Sequence, residues 1–148
     1  MRTHVVVVAA LLCSRLALAD TAEEIVEASK LNGGLAVVIG TDASTLPTQL
    51  SMNGFVVQML DTDAKEVAKA RERLLASALQ GRLSAITFDG MHLPYVDNLV
   101  NLLVIQDERS EVLDEELRRV LAPRGVLVSK AESANWNLDV HHAGDWLV

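Results

Sequence analysis

Apolar runs and amphipathic stretches alternate along most of the chain. Nearly continuous aliphatic runs are typical of strands buried on both faces of a sheet, and they occupy residues 35–39, 55–60, 83–88, 99–105 and 126–129. Between them, apolar residues recur at helical spacing, and the clearest stripe is formed by Val67, Ala70, Leu74 and Ala78. Strands that alternate with helices predict βα units and a parallel sheet.

Polar residues mark where two of the helices begin. Asp63 and Glu66 have the spacing of a capping box, in which each side chain bonds to the backbone N–H of the other residue. Ser44 or Thr45 can cap an earlier, short helix that has Pro47 in its first turn, where the missing N–H costs nothing. Both helices are therefore expected to follow a strand directly.

The second half of the chain predicts a loop, a strand, a helix and a last strand. The loop covers residues 89–98, and the helix covers residues 111–121 with Leu113 and Leu117 facing inward. The segment Pro123-Arg124-Gly125 turns the chain into the last strand. Because right-handed crossovers leave few topologies, we predict an α/β fold with a doubly wound, Rossmann-like, mostly parallel five-stranded sheet in the order 3-2-1-4-5.

Length and the first residues predict the domain organisation. A chain of 148 residues, half of them apolar and with a mean hydropathy of +0.24, suits one globular domain. Residues 1–19 combine a basic start, an apolar centre too short to span a membrane and an Ala-Leu-Ala end, which predicts a secretory signal cleaved after Ala19. The alternative for this segment is a buried first strand. We therefore expect an exported protein, periplasmic or secreted, with a domain over residues 20–130 and a tail or truncated junction over residues 131–148.

Charge and cysteine content exclude several function classes. The formal net charge is −7, and cleavage would leave 11 basic and 20 acidic residues, which argues against nucleic acid as a partner. Cys13 is the only cysteine and lies in the predicted signal, so no thiolate metal site is expected. Ligands for a divalent metal exist at Asp139, His141, His142 and Asp145, but adjacent histidines generally point apart, and no metal is predicted.

The first two strands carry the candidate chemistry. The first runs into Gly40, and about twenty residues later the second ends in the carboxylate of Asp61. Open α/β sheets bind nucleoside ligands at the carboxyl ends of their strands, where an acid can hold the ribose hydroxyls. This spacing predicts a small-molecule nucleoside cofactor.

Four stretches together resemble the class I S-adenosylmethionine-dependent methyltransferases. They are Gly40 with Asp61, then Phe88-Asp89-Gly90, then Leu93-Pro94-Tyr95-Val96-Asp97-Asn98, which is similar to a family "LPF-x-D" loop, and finally residues 116–127, which are similar to "E-x-x-R-V-L-x-P-G-G". The resemblance implies methyl transfer to an unknown acceptor and S-adenosylmethionine as cofactor, with Asp61 on the ribose and Asp89 on the adenine. The two last strands usual in the family are expected to be short or missing. No residue is predicted as catalytic, and the predicted cofactor-binding residues are Gly40, Thr41, Asp61, Thr62, Asp89, Gly90 and Gln106.

Departures from the family pattern leave alternatives open. Asp42 and Ser44 stand where the family has glycines that let the backbone approach the cofactor closely. A non-catalytic methyltransferase-like module of an exported protein is therefore one alternative. It resembles the N-terminal part of secreted bacterial proteins that continue into a quinoprotein-type propeller, which would supply a C-terminal partner domain. An NAD-binding Rossmann domain is the other alternative, because its acid also follows the second strand.

Overall fold

A computed structural model describes residues 21–41, 45–79, 81–106, 110–129 and 141–142. The predicted signal, Asp42, Ser44, Asp139 and Asp145 lie outside these ranges, as does most of the predicted tail. The helices are α1 (Thr21–Ser29), α2 (Leu46–Met52), α3 (Ala64–Leu75) and α4 (Asp114–Val120). The strands are β1 (Gly34–Ile39), β2 (Phe55–Asp61), β3 (Leu83–Thr87), β4 (Val100–Ile105), β5 (Leu121–Ser129) and β6 (His141–His142).

The strands form one sheet in the order β3-β2-β1-β4-β5-β6. The first five pair in parallel, with Val38 opposite both Met59 on β2 and Val104 on β4. The two residues of β6 pair antiparallel with Val126 and Leu127. The predicted parallel order 3-2-1-4-5 is confirmed, and within the described ranges the sheet continues past it through one strand of two residues.

Alternate residues of each strand enter two different cores, because successive side chains point to opposite faces. Helices α1, α2 and α3 cover one face, and helix α4 and the loop between β3 and β4 cover the other. The first core is centred on Ile25, Val38, Leu50, Phe55, Val57 and Val104. The second core is centred on Val37, Leu60, Leu93, Leu103, Leu117 and Val120. The long aliphatic runs of the sequence are therefore strands buried on both faces.

The start of α3 differs from the predicted capping box. Asp63 does cap the helix, since its Oδ1 accepts the Lys65 N–H at 2.8 Å. Glu66 does not bond back to Asp63 but pairs with Lys69 Nζ at 2.7 Å. The Asp63 N–H donates instead to Asp61 Oδ1 at 2.9 Å. Asp61 replaces the glutamate of the capping box because it lies at the strand end two residues before the cap.

Other helix ends were predicted less well. Thr45 precedes α2 but makes no capping hydrogen bond, because its backbone is already helical. Helix α3 ends at Leu75, so Ala78 lies beyond it and is exposed. Helix α4 begins only at Asp114, which leaves Leu113 extended and 69% exposed rather than inward. The predictions over-extended both helices, because the apolar spacing continues past the last residue of α3 and begins before the first residue of α4.

The strand β5 begins earlier than predicted. It starts at Leu121 and includes Pro123-Arg124-Gly125, with a register shift against β4 between Val100 and Leu102. Arg124 has a φ of 65°, the left-handed region that favours glycine. The segment that was predicted as a turn is therefore an irregularity inside a strand. Within the described ranges, no helix has the length and apolar character needed to cross a membrane.

Candidate functional site

A cleft of about 240 Å³ lies at the carboxyl ends of β1, β2 and β3. This is the edge of an open α/β sheet at which ligands bind, because loops diverge there and leave a crevice. Among the described residues, its walls are formed by the ends of the three strands and by the segment that precedes α4. The lining residues are Ile39, Gly40, Leu60, Asp61, Thr62, Phe88, Asp89, Gly90, Ser110 and Glu111.

Gly40 turns the chain away from β1 at the floor of the cleft. Its φ is 122°, a backbone conformation that residues other than glycine rarely adopt. Its N–H donates to the Leu60 carbonyl at 2.7 Å, so the turn stays attached to β2. The glycine keeps the two strand ends together at the point where the cleft opens.

Asp61 ends β2 with both carboxylate oxygens already hydrogen-bonded. Oδ2 accepts the Thr41 hydroxyl at 2.6 Å, and Oδ1 accepts the Asp63 N–H at 2.9 Å. A carboxylate offers about four acceptor positions, two on each oxygen. With respect to the described residues, each oxygen of Asp61 therefore keeps one position, and the two bonds hold the group in one orientation beside the cleft.

Thr41 is buried, with 3% of its surface exposed. Its hydroxyl donates to Asp61 Oδ2, and its carbonyl oxygen accepts a hydrogen bond from Arg73 Nη2 of α3 at 2.8 Å. Thr41 therefore connects the β1 turn, the acid of β2 and the helix α3. It holds the cleft-lining Asp61 in place but is not itself one of the lining residues described above.

Asp89 follows β3 and organises the turn that comes after it. Its Oδ1 accepts the N–H groups of Met91 and His92 at 2.8 and 2.6 Å, and its Oδ2 lies 2.7 Å from His92 Nδ1. These hydrogen bonds, led by the His92 N–H, lower the pKa of Asp89 to about 2. In turn, the bond to Asp89 raises the pKa of His92. Asp89 thus lines the cleft and is at the same time the turn residue that Asp-Gly sequences favour.

The predicted cofactor-binding residues divide into two groups. Gly40, Asp61, Thr62, Asp89 and Gly90 line the cleft, whereas Thr41 and Gln106 do not. The Gln106 N–H extends the β1–β4 pairing by donating to the Ile39 carbonyl at 3.0 Å.

Sequence reasoning missed five of the lining residues. The apolar residues Ile39, Leu60 and Phe88 could have been found, because each directly precedes a predicted cofactor-binding residue at a strand end. Ser110 and Glu111 carry no such signal, because the path of the chain between β4 and α4 brings them to the cleft. No group of three or more metal-ligating side chains occurs in the described part of the chain.

Neither a family model nor a curated protein matches the sequence, but solved structures share its fold. A S-adenosylmethionine-dependent methyltransferase from Aquifex aeolicus is 21% identical, with a TM-score of 0.63 over 74% of this chain and 62% of its own. The geranyl diphosphate C-methyltransferase from Streptomyces coelicolor A3(2), solved with Mg²⁺, geranyl diphosphate and S-adenosyl-L-homocysteine, is 15% identical, with a TM-score of 0.63 over 73% and 44%. The [4+2]-cyclase SpnF is 22% identical, with a TM-score of 0.63 over 73% and 42%.

These similarities establish the fold class. The chain has the Rossmann-like fold of S-adenosylmethionine-dependent methyltransferases, as the resemblance of its motifs implied. It spans between 42% and 62% of the length of these three structures. A shared fold hosts different reactions, and a cyclase stands among the similar structures. The reaction must therefore be argued from the cleft.

Proposed function

We propose that the chain carries the cofactor-binding domain of a S-adenosylmethionine-dependent methyltransferase, with the adenosine part of the cofactor in the cleft between β1, β2 and β3. The fold and the position of the cleft support this proposal, because both agree with the nucleoside sites of open α/β sheets. Solved structures of the same fold include methyltransferases, one of them with S-adenosyl-L-homocysteine bound.

The observation that carries the proposal is the state of the Asp61 carboxylate. Thr41 and Asp63 each occupy one acceptor position, one on each oxygen. Among the described residues no other donor reaches this carboxylate, which leaves two positions, again one on each oxygen. Two neighbouring hydroxyl groups of a ribose are two donors on adjacent carbons, and they match this pair of acceptors. Asp61 is held in place before any ligand arrives, so binding does not have to order it.

The rest of the cleft suits a purine base. Asp89 Oδ1 already accepts two N–H groups, and Oδ2 is beside His92, so with respect to the described part of the chain one acceptor position remains on Oδ2, enough for one hydrogen of an adenine amino group. Ile39 and Leu60 are almost fully buried, so the half-buried Phe88 supplies the exposed apolar surface for the base. Ser110 lines the cleft, and its Oγ is buried and has no hydrogen-bond partner among the described residues.

These residues bind and orient; none of them is assigned a chemical step. When bound, S-adenosylmethionine supplies a methyl group already activated by a sulfonium. The protein then contributes mainly by holding the reactants in line and excluding water. Thr41 and Asp63 orient Asp61, and the turn after β3 orients Asp89.

The test is a calorimetric titration of the purified protein with S-adenosylmethionine, repeated with Asp61→Ala and Asp63→Ala. We expect micromolar affinity in the original protein and its loss in Asp61→Ala. Asp63→Ala is the matched control: it removes the α3 cap, which costs about 1 kcal/mol of stability, but leaves the N–H that bonds to Asp61. Its affinity should stay close to that of the original protein.

The alternatives predict different titrations. An NAD-binding domain would take up NAD in preference to S-adenosylmethionine. A non-catalytic module of an exported protein would show no heat with either ligand up to millimolar concentration, and Asp42 and Ser44 favour this outcome on the sequence alone. Equal losses of affinity in Asp61→Ala and Asp63→Ala would also contradict the proposal, because the effect would then follow stability and not the acceptor positions.

A further inference from the structure

Two residues of α4 hold the loop that connects β3 to β4. Arg119 donates from Nη1 to the Tyr95 carbonyl at 2.8 Å and from Nη2 to the Leu93 carbonyl at 3.1 Å. Glu116 Oε1 accepts the Leu93 N–H at 2.7 Å. Arg119 Nη1 also donates to Asp97 Oδ1 at 2.8 Å. The loop is therefore held through its backbone at Leu93 and Tyr95, and through a side chain at Asp97.

The same two residues form a bidentate pair with each other. Arg119 Nε donates to Glu116 Oε2 at 2.9 Å, and Nη2 donates to Oε1 at 2.6 Å. A guanidinium has five N–H donors in a rigid plane, and these contacts with the three loop contacts use all five. The side-chain hydrogen bond from Arg119 is the main cause that lowers the pKa of Glu116 to about 2. A lysine has three donors on one atom and cannot reproduce this planar pattern.

We call Glu116 and Arg119, together with their contacts to residues 93–97, the clamp. The residues that the clamp holds follow the cleft-lining residues 88–90 closely in the sequence. The loop begins at Phe88, Asp89 and Gly90, which line the cleft. Asp89 orders the turn up to His92, and Leu93 follows at once, buried and held by the clamp. Little freedom remains between the cleft-lining aspartate and the first clamped residue.

The other wall of the cleft is connected to the clamp along the chain as well. Ser110 and Glu111 line the cleft just before α4 begins at Asp114, and α4 carries Glu116 and Arg119. One wall is thus the start of the loop, and the other wall is the segment that leads into α4. The clamp ties the loop that starts at one wall to the helix that follows the other wall.

We propose that Arg119 is a positioning residue of the cleft, which sets the place of Asp89 relative to Ser110 and Glu111 without touching the ligand. This proposal rests on the proposed function for the identity of the ligand, S-adenosylmethionine. The positioning itself is a property of the protein alone and can be measured without a ligand.

The test compares Arg119→Lys with Val67→Ala in the full chain. Arg119→Lys keeps the charge and most of the stem, so the helix surface changes little. Val67 is buried in the other core, on the far face of the sheet, and its truncation lowers stability without touching the clamp. We expect S-adenosylmethionine affinity to fall about tenfold in Arg119→Lys, as for the loss of about 1.4 kcal/mol, and to stay within about twofold in Val67→Ala.

The second readout is amide hydrogen exchange without ligand. In Arg119→Lys, the amides of Met91, His92 and Leu93 should exchange at least about tenfold faster, because their loop is released locally. Amides of β1 should exchange as in the original protein. Unchanged exchange at these three amides would overturn the positioning role, as would parallel affinity losses in Arg119→Lys and Val67→Ala. If the original protein does not bind S-adenosylmethionine while exchange rises as expected, the proposed function fails and the positioning role stands.

Discussion

The hydrogen bond from Thr41 to Asp61 allows a sharp test of how the cleft works. Thr41→Val removes the hydroxyl and keeps the shape of the side chain. The lost bond is short, at 2.6 Å, and has a charged acceptor; such bonds contribute about 1.5–3 kcal/mol. Asp61 is half-buried, so water can replace part of the bond from the cleft side. We therefore take the lower end, about 1.5 kcal/mol of stability.

Thr41→Ser is the matched control. It keeps the donor and removes one buried methyl group, which costs about 1 kcal/mol. Both variants should therefore lose similar stability, which corresponds to a fall in melting temperature of roughly 5 °C for a domain of this size. Only Thr41→Val loses the group that orients Asp61 Oδ2.

Ligand affinity then separates the two variants. A loss of up to about 1.5 kcal/mol in binding corresponds to about a tenfold weaker Kd for S-adenosylmethionine in Thr41→Val. In Thr41→Ser the Kd should change by less than about twofold, because the acceptor geometry of Asp61 is intact. Melting temperature is measured by circular dichroism and Kd by calorimetry. The reasoning is refuted if Thr41→Val binds as well as the original protein, or if both variants lose affinity equally.

Two further predictions concern the backbone and pH. Arg124 is exposed at a φ of 65°, so Arg124→Gly should leave the melting temperature unchanged or raise it by a few degrees, because relief of strain outweighs the added freedom of the unfolded chain; a clear fall would show that the arginine side chain stabilises the strand. The raised pKa of His92 means that its bond to Asp89 stabilises the fold fully below the ordinary value of 6.5 and that this contribution is lost as pH rises through the folded pKa. The difference in melting temperature between the original protein and His92→Gln should accordingly be largest below pH 6.5 and shrink as the pH rises through the folded pKa, and a difference that does not change with pH would contradict it.

The parts of the fold that could be predicted are those decided by burial. Strands covered on both faces must be aliphatic almost throughout, and these aliphatic runs identified all five parallel strands. Their order followed from the alternation of strands with helices and from right-handed crossovers. The ends of elements could not be predicted as well, because they depend on competition between donors and acceptors. At Asp63, the carboxylate of Asp61 takes the N–H that a capping box would give to Glu66. Nothing in the spacing of these residues reveals which acceptor is nearer.

The residues of the site also differ in whether the sequence could predict their roles. Asp61 and Asp89 could be predicted to meet, because parallel strands bring their carboxyl ends to one edge of the sheet. The role of Thr41 could not, because adjacency to Gly40 suggests a ligand contact, whereas burial turns its hydroxyl towards Asp61. Ser110 also escaped prediction, since its place depends on how α4 packs.

The clamp changes the meaning of two of the motifs that carried the resemblance. The loop with Leu93 and Asp97, and the run with Glu116 and Arg119, contact each other and not the ligand cleft. Similarity at these motifs therefore reports an intact loop and helix, which a chain can keep whether or not it binds a cofactor. Similarity at Asp61, in contrast, concerns the carboxylate that would contact the ligand in the cleft. Evidence for methyl transfer must for this reason come from the cleft residues, and the titration with Asp61→Ala examines that part of the resemblance directly.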